Sequence, residues 1–334
     1  MDWAHARQST CGLAHARAFA LIALVFGLAA GAMAAEAQGL APLQNESLRR
    51  VRDDLLPRYG AWGLGGVVVL LAVFFLLRGR VAIELGWAGL TLRRFGRFER
   101  AAHWLLALSF VVLALTGLNV LYGRQVLLPL VGAEAWAEIS SWAAWLHVRA
   151  GFGFMGGLAL IVLPWLRHAL PSWRDIVWLA KGGGLLVRGS LAPAWKFNAG
   201  QKVLFWLVLV GGLAVSLTGV ALLSPFRTAL MSKVFAGVNA LGVVVGLAPG
   251  LPVNLTPSQE MEHSVVWHGI IGLGLIGVVI GHIYMRTLGL QGAFRAMASG
   301  EVDVNWARQH HSLWADRQLE EAESEAPPRA TLAE

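Results

Sequence analysis

Residues 267–285 read WHGIIGLGLIGVVIGHIYM, an apolar run with no Asp, Glu, Lys or Arg and a histidine near each end. Its length approaches the roughly 20 residues that a membrane-spanning helix needs. His268 and His282 stand 14 residues apart, about 21 Å along a helix, and at ~100° per residue they return to within roughly 40° of the same direction. One helical face therefore presents two imidazoles at two depths of a bilayer. Ionisable groups are costly at such depths and point to function.

The rest of the chain agrees with a membrane setting. Of 334 residues, 56% are hydrophobic and 14% charged, with a mean hydropathy of +0.59, where soluble domains carry about 25% charged residues. This composition excludes a soluble globular enzyme, a disordered chain and a nucleic-acid binder. The formal charge of +7 comes from basic residues scattered between apolar runs, as in cytoplasmic loops of membrane proteins. Cys11 is the single cysteine, so disulfides, cysteine-ligated clusters and covalent c-type haem attachment within the chain are excluded.

Ala61–Leu77, Ala101–Leu121, Trp142–Leu166, Val203–Leu223 and Val265–Met285 are predicted to span. Segments 78–100, 167–202 and 286–334 hold 17 Lys and Arg, against 7 in 36–60, 123–141 and 224–262. The positive-inside rule places the first set in the cytoplasm, which predicts a multi-pass inner-membrane protein with a periplasmic mature N-terminus and a cytoplasmic C-terminus. Val234–Leu251 is apolar but interrupted by Asn239 and Pro249, and is expected to be an interfacial or packed helix. Residues 1–37 read as a signal peptide or signal anchor, with Arg7 and Arg17 ahead of apolar Ala18–Ala30. Residues 38–92 then supply a periplasmic segment, an extra span and a linker, 93–302 a four-helix core, and 303–334 a solvated cytoplasmic tail carrying Glu320, Glu321, Glu323 and Glu325.

Two further histidines match the depths on 267–285. His147 lies near the outer end of its span, level with His268, and His103 near the inner end of its own, level with His282. Singly, His103 reads as an interfacial residue; the depth-matched set of four reads as two bis-histidine sites. That is the ligand set of two stacked b-type haems, in which axial imidazoles on both faces give an electron-transfer iron. Glycine is abundant, at 39 residues. Gly151 and Gly272 each follow a ligand candidate by four positions, where a missing side chain lets a flat macrocycle approach, although small residues also serve helix packing. His168 reads as a helix-end residue, His263 as exposed, and His310 and His311 as tail residues at a surface, a subunit contact or a proton path. Arg149 suits a haem propionate or a snorkelling position equally. LALTGLNVL (113–121) and VSLTGVALL (215–223) form a faint repeat, which composition alone suffices to produce.

RFGRFERAAHW (94–104), WKFNAGQKVLFW (195–206), WHGIIGLGLIGVVIGHIYM (267–285) and WARQHHSLW (306–314) together resemble the gamma subunit of membrane-bound formate dehydrogenase, a di-haem cytochrome b. The likeness covers about 93–318. It implies an all-α integral membrane four-helix di-haem cytochrome b bundle, here with one additional N-terminal transmembrane helix. The resemblance assigns His147 and His268 to a periplasmic-side haem b and His103 and His282 to a cytoplasmic-side one, as depth does. It also places a quinone at Asn198, Gly200 and Gln201, where the residues alone suit either a quinone carbonyl or a helix start capped by Asn198. It implies as partners a molybdenum- or tungsten-pterin catalytic subunit and an iron–sulfur subunit, with no dehydrogenase active site in this chain. Two rivals remain at this level: the cytochrome b of a nickel–iron hydrogenase or thiosulfate reductase, and a histidine-containing transporter or channel, which would be colourless.

Overall fold

The computed structural model describes residues 45–184, 192–224, 227–247 and 250–325; the signal reading of 1–37 lies outside the described residues. In chain order the main helices are α1 (Glu46–Arg78), α2 (Arg97–Val126), α3 (Ala133–Ala169), α4 (Trp173–Ala180), α5 (Ala199–Leu223), α6 (Leu230–Val244), α7 (Pro257–Gly289) and α8 (Val304–Glu325). Five of them, α1, α2, α3, α5 and α7, are long and apolar enough to cross a membrane. Each contains one of the predicted spans and runs past it, because amphipathic turns continue the helix beyond the apolar window. The protein is an all-α, multi-pass membrane protein.

Helix α6 has 15 residues, about 22 Å of rise and too short to span. It is packed, as expected for the apolar stretch around Asn239, with Met231, Phe235 and Gly242 buried. Its first turn is held by Glu260 of α7, which accepts from the Met231 N–H (2.6 Å) and the Ser232 N–H (2.9 Å). A carboxylate at a helix N-terminus satisfies donors that have no partner within the helix.

The chain divides into two compact units. The first takes described residues up to Val69 with Ala101–Val162 and Leu207–Ile280. Its helices approach closely where glycine removes the side chain, as is usual in lipid. A Cβ on Gly157 would lie 2.7 Å from the Leu106 backbone nitrogen, setting α3 against α2, and one on Gly211 would lie 2.9 Å from Leu275, setting α5 against α7. The extra helix α1 docks the same way: a Cβ on Gly269 would meet Leu56 at 2.6 Å, and the Tyr122 hydroxyl donates to the Pro57 carbonyl at 2.9 Å.

The second unit comprises Leu70–Arg100, Leu163–Trp206 and Gly281–Glu334. Strand β1 (Thr91–Arg93) pairs antiparallel with β2 (Glu301–Asp303), Leu92 opposite Val302. Helix α8 follows β2 directly and corrects the expectation of a solvated tail from 303 onward. Trp306, Ala307, His311, Trp314 and Ala315 are buried, while Arg308 and the later turns, with Glu320, Glu321, Glu323 and Glu325, are exposed. The acidic run dominated the sequence signal, while the apolar face ahead of it is interrupted by Arg308, Gln309 and His310.

Candidate haem site

Within the first unit, four helices each contribute one polar side chain to a common point. His147 comes from α3 and His268 from α7, and their ring centres are 6.2 Å apart with planes at 64°. Thr116 of α2 lies with Oγ1 2.7 Å from His147 Nδ1, and Thr218 of α5 lies with Oγ1 3.0 Å from His268 Nδ1. Each threonine is followed by a glycine against the same ring. A Cβ on Gly117 would sit 3.5 Å from His147 Cε1, and one on Gly219 would sit 3.4 Å from His268 Cε1.

This arrangement fits a haem iron. Metal–imidazole bonds of about 2.0 Å put two rings coordinated to opposite faces of one iron roughly 6 Å apart, centre to centre. Gly151 and Gly272 both face open space, with no atom of the described residues within 4 Å of an added Cβ, which is compatible with a flat group lying beside them. Arg149 does not reach toward the pair. Its guanidinium folds over Trp145 at 3.7 Å and donates to the Trp145 carbonyl at 3.1 Å.

A family model for prokaryotic cytochrome b561 matches residues 94–300, well over half of the chain. The protein belongs to the prokaryotic cytochrome b561 family. Membership brings haem b as the cofactor class. The chain is similar to the cytochrome b556(Fdn) subunit of the nitrate-inducible formate dehydrogenase of Escherichia coli, 26% identical over 68% of this chain and 90% of the relative. It is also similar to the cytochrome b556(fdo) subunit of an Escherichia coli formate dehydrogenase, 24% identical over 67% and 92%. A formate dehydrogenase cytochrome b556 subunit of Haemophilus influenzae is 24% identical over 64% and 78%.

The remaining ligand candidates of this cytochrome b lie apart in the division of the chain. His103 belongs to the first unit, its ring edge-on to Trp104 at 5.5 Å. His282 belongs to the second, near the end of the α-helical part of α7. Their pairing is an expectation from matched depth and from the family resemblance. His263, expected to be exposed, is half-buried with its ring edge-on to Phe235 at 5.0 Å.

The second unit holds Asn198, Gly200 and Gln201 at the start of α5. Asn198 and Gln201 cap each other: the Gln201 N–H donates to Asn198 Oδ1 (3.0 Å) and the Asn198 N–H to Gln201 Oε1 (3.1 Å). This reciprocal box satisfies two helix-end donors and uses only the side-chain oxygens, so the amide NH2 donors take no part in it. Gly200 packs under Trp178, which a Cβ would meet at 3.2 Å. Beside this turn lies a small cleft of about 10 Å³ lined by Trp178, Trp195, Asn198 and the ion pair of Lys202 with Asp175, whose charged atoms are 2.9 Å apart.

Sequence reasoning missed a buried network around Arg94. Its Nη2 donates to the Lys196 carbonyl at 2.6 Å and lies 2.9 Å from His311 Nε2, while His311 Nδ1 lies 2.8 Å from the Trp195 carbonyl. The guanidinium is boxed by Phe95, Trp306 and Trp314, each ring centre 5.2–5.3 Å away. Burial, aided by the charge of Arg286, holds Arg94 well below its ordinary value. Burial first and the Arg94 charge second hold His311 well below its own, and burial lowers His310 to about 4. Both histidines are therefore neutral at physiological pH.

Proposed function

We propose that the chain is the membrane-anchor cytochrome b subunit of a respiratory formate dehydrogenase, carrying electrons from an iron–sulfur subunit to the quinone pool. The observation that carries this reading is the His147–His268 pair, whose 6.2 Å separation suits bis-imidazole ligation inside an apolar bundle. The formate assignment rests on relatives that bear that name along 90% and 92% of their own length. Those names do not favour the hydrogenase, thiosulfate reductase or channel alternatives.

In this reading His147 and His268 hold one haem b, and His103 with His282 hold a second. When bound, the haems supply the one-electron redox chemistry, and the protein sets their potentials through axial ligation, hydrogen bonding and burial. Domain 93–302 is the di-haem core, and α1 is an addition to it. By the distribution of basic residues, the His147–His268 level lies toward the periplasm and the Asn198 turn toward the cytoplasm. The Asn198 and Gln201 amides would donate to a quinone carbonyl beside the Gly200 backbone, and protons for the quinol would enter from the cytoplasm. The formate-oxidising subunit, which needs ligands this chain lacks, is a separate partner.

The test is haem stoichiometry, by pyridine haemochrome on the purified chain. Two haems b are expected, and His147→Ala or His268→Ala should each remove one of them. Full occupancy in either variant overturns the ligand assignment. Co-isolation with a formate-oxidising activity tests the partner.

A further inference from the structure

The two threonine–histidine contacts share one chemistry. Thr116 Oγ1 lies 2.7 Å from the Val112 carbonyl and 3.2 Å from that of Leu113; Thr218 Oγ1 lies 2.8 Å from the Ala214 carbonyl and 3.1 Å from that of Val215. A hydroxyl has one proton. Back-bonding to the preceding turn uses that proton, which leaves an oxygen lone pair facing each imidazole Nδ1. Were the proton instead given to the histidine, two oxygens would face each other at 2.7–2.8 Å with nothing between them. The hydrogen-bond network therefore assigns Nδ1 as the protonated nitrogen of both rings and leaves the Nε2 lone pair for coordination. The contact is not needed by the threonines, whose hydroxyls are already satisfied. For His147 it is the imidazole N–H, inside an apolar bundle, that gains the acceptor; the His268 ring has the Val215 carbonyl within reach as well.

We propose that Thr116 and Thr218 are a matched pair of positioning residues that fix the tautomer and ring orientation of His147 and His268, so that both present Nε2 to one haem iron. The inference rests on the ligand reading of those histidines given above. The leucine-threonine-glycine triplets at 115–117 and 217–219 are one device used twice: the threonine anchors the far nitrogen, and the glycine after it leaves room beside Cε1. A neutral hydroxyl polarises the ligand less than the carboxylate that often orients a metal-bound histidine, and it adds no buried charge within the membrane. The imidazoles accordingly stay neutral rather than acquiring imidazolate character.

Thr116→Val and Thr218→Val remove the hydroxyl with little change in shape, while Thr116→Ser and Thr218→Ser keep it. In the haem-loaded protein each Val variant should raise the midpoint potential of the His147–His268 haem, because losing the acceptor makes the ligand a poorer donor to ferric iron. It should also alter that haem's low-spin EPR signal and leave the other haem unchanged; the Ser variants should return both readouts toward the unmodified values. Val variants with an unshifted potential and EPR signal, or with equal shifts in both haems, overturn the proposal. Where a Val chain assembles poorly, hyperfine spectroscopy of the remote imidazole nitrogens in the unmodified oxidised protein decides. Protonated, hydrogen-bonded Nδ1 on both ligands supports the assignment, and coordination through Nδ1 or a deprotonated remote nitrogen defeats it. If His147→Ala and His268→Ala remove no haem, the ligand reading itself has failed; if they remove one and the Val variants are silent, only the threonine role has.

Discussion

The surroundings of His147 and His268 and those of Asn198 meet the cost of buried polarity in opposite ways. Around the histidine pair the polar groups are neutral, and each is satisfied by a hydroxyl or by a carbonyl of its own helix turn. Around Asn198 the polar groups include charges: the ion pairs of Lys202 with Asp175 and of Lys196 with Glu99, both at 2.9 Å, and the buried Arg94, which donates to the Lys196 carbonyl. The first arrangement suits a cofactor that must be buried in an apolar shell. The second suits a surface where charge must cross between water and the bundle. The contrast predicts that single substitutions hurt the second region by stranding charge and the first by crowding.

The largest effect is expected at Lys196. Glu99 accepts from Lys196 Nζ and from Trp165 Nε1 through one oxygen, and from the Gly96 N–H through the other; its side chain is 15% exposed. Lys196→Met strands that carboxylate, and removing one member of a buried pair costs about 3–5 kcal/mol. Adding Glu99→Gln removes the charge and keeps one acceptor oxygen, enough for Trp165 or for Gly96 but not for both, and should recover part of the loss. Thermal unfolding of the haem-loaded chain, followed by Soret absorbance, measures both. A double variant no more stable than Lys196→Met would show that charge is not what this pair manages.

A smaller effect separates two glycines of α3, Gly151 one turn from His147 and Gly157 further along the helix. Gly157→Ala puts a Cβ against the Leu106 backbone, which cannot step aside as a side-chain end would, and overpacking of that kind costs about 1–3 kcal/mol. Gly151→Ala meets no atom of the described residues within 4 Å, so its effect on unfolding of the haem-free chain should stay within about 0.5 kcal/mol, whereas in the haem-loaded chain it would crowd a macrocycle seated there. Equal losses at both positions would mean that Gly151 serves helix packing after all.

What the sequence made legible follows the same division. The spans were readable because long stretches dominated by apolar residues have few alternatives to a membrane helix, and the histidines because ionisable groups stand out against such a background. Thr116 and Thr218 stood out far less: in an apolar helix threonine looks neutral, and only the short triplet repeat marked them. The Arg94–His311 contact joins positions 217 apart in sequence and has no local signature. The buried face of α8 was hidden by its polar interruptions and by the acidic run after it.

The smallest expected change in stability asks whether Asn198 does more than start a helix. Its Oδ1 caps α5, and Asn198→Ala should cost about 1 kcal/mol for that reason alone. Serine caps about as well as asparagine, so Asn198→Ser should change unfolding by only a few tenths of a kcal/mol, while it removes the amide donor that the proposed function assigns to a quinone carbonyl. A several-fold slower quinone reduction in Asn198→Ser, at unchanged haem content, therefore isolates the donor from the cap. Turnover that falls only in the Ala variant, in proportion to lost stability, would leave Asn198 with its structural role, and quinone recognition at that turn would pass to Gln201 and the Gly200 backbone.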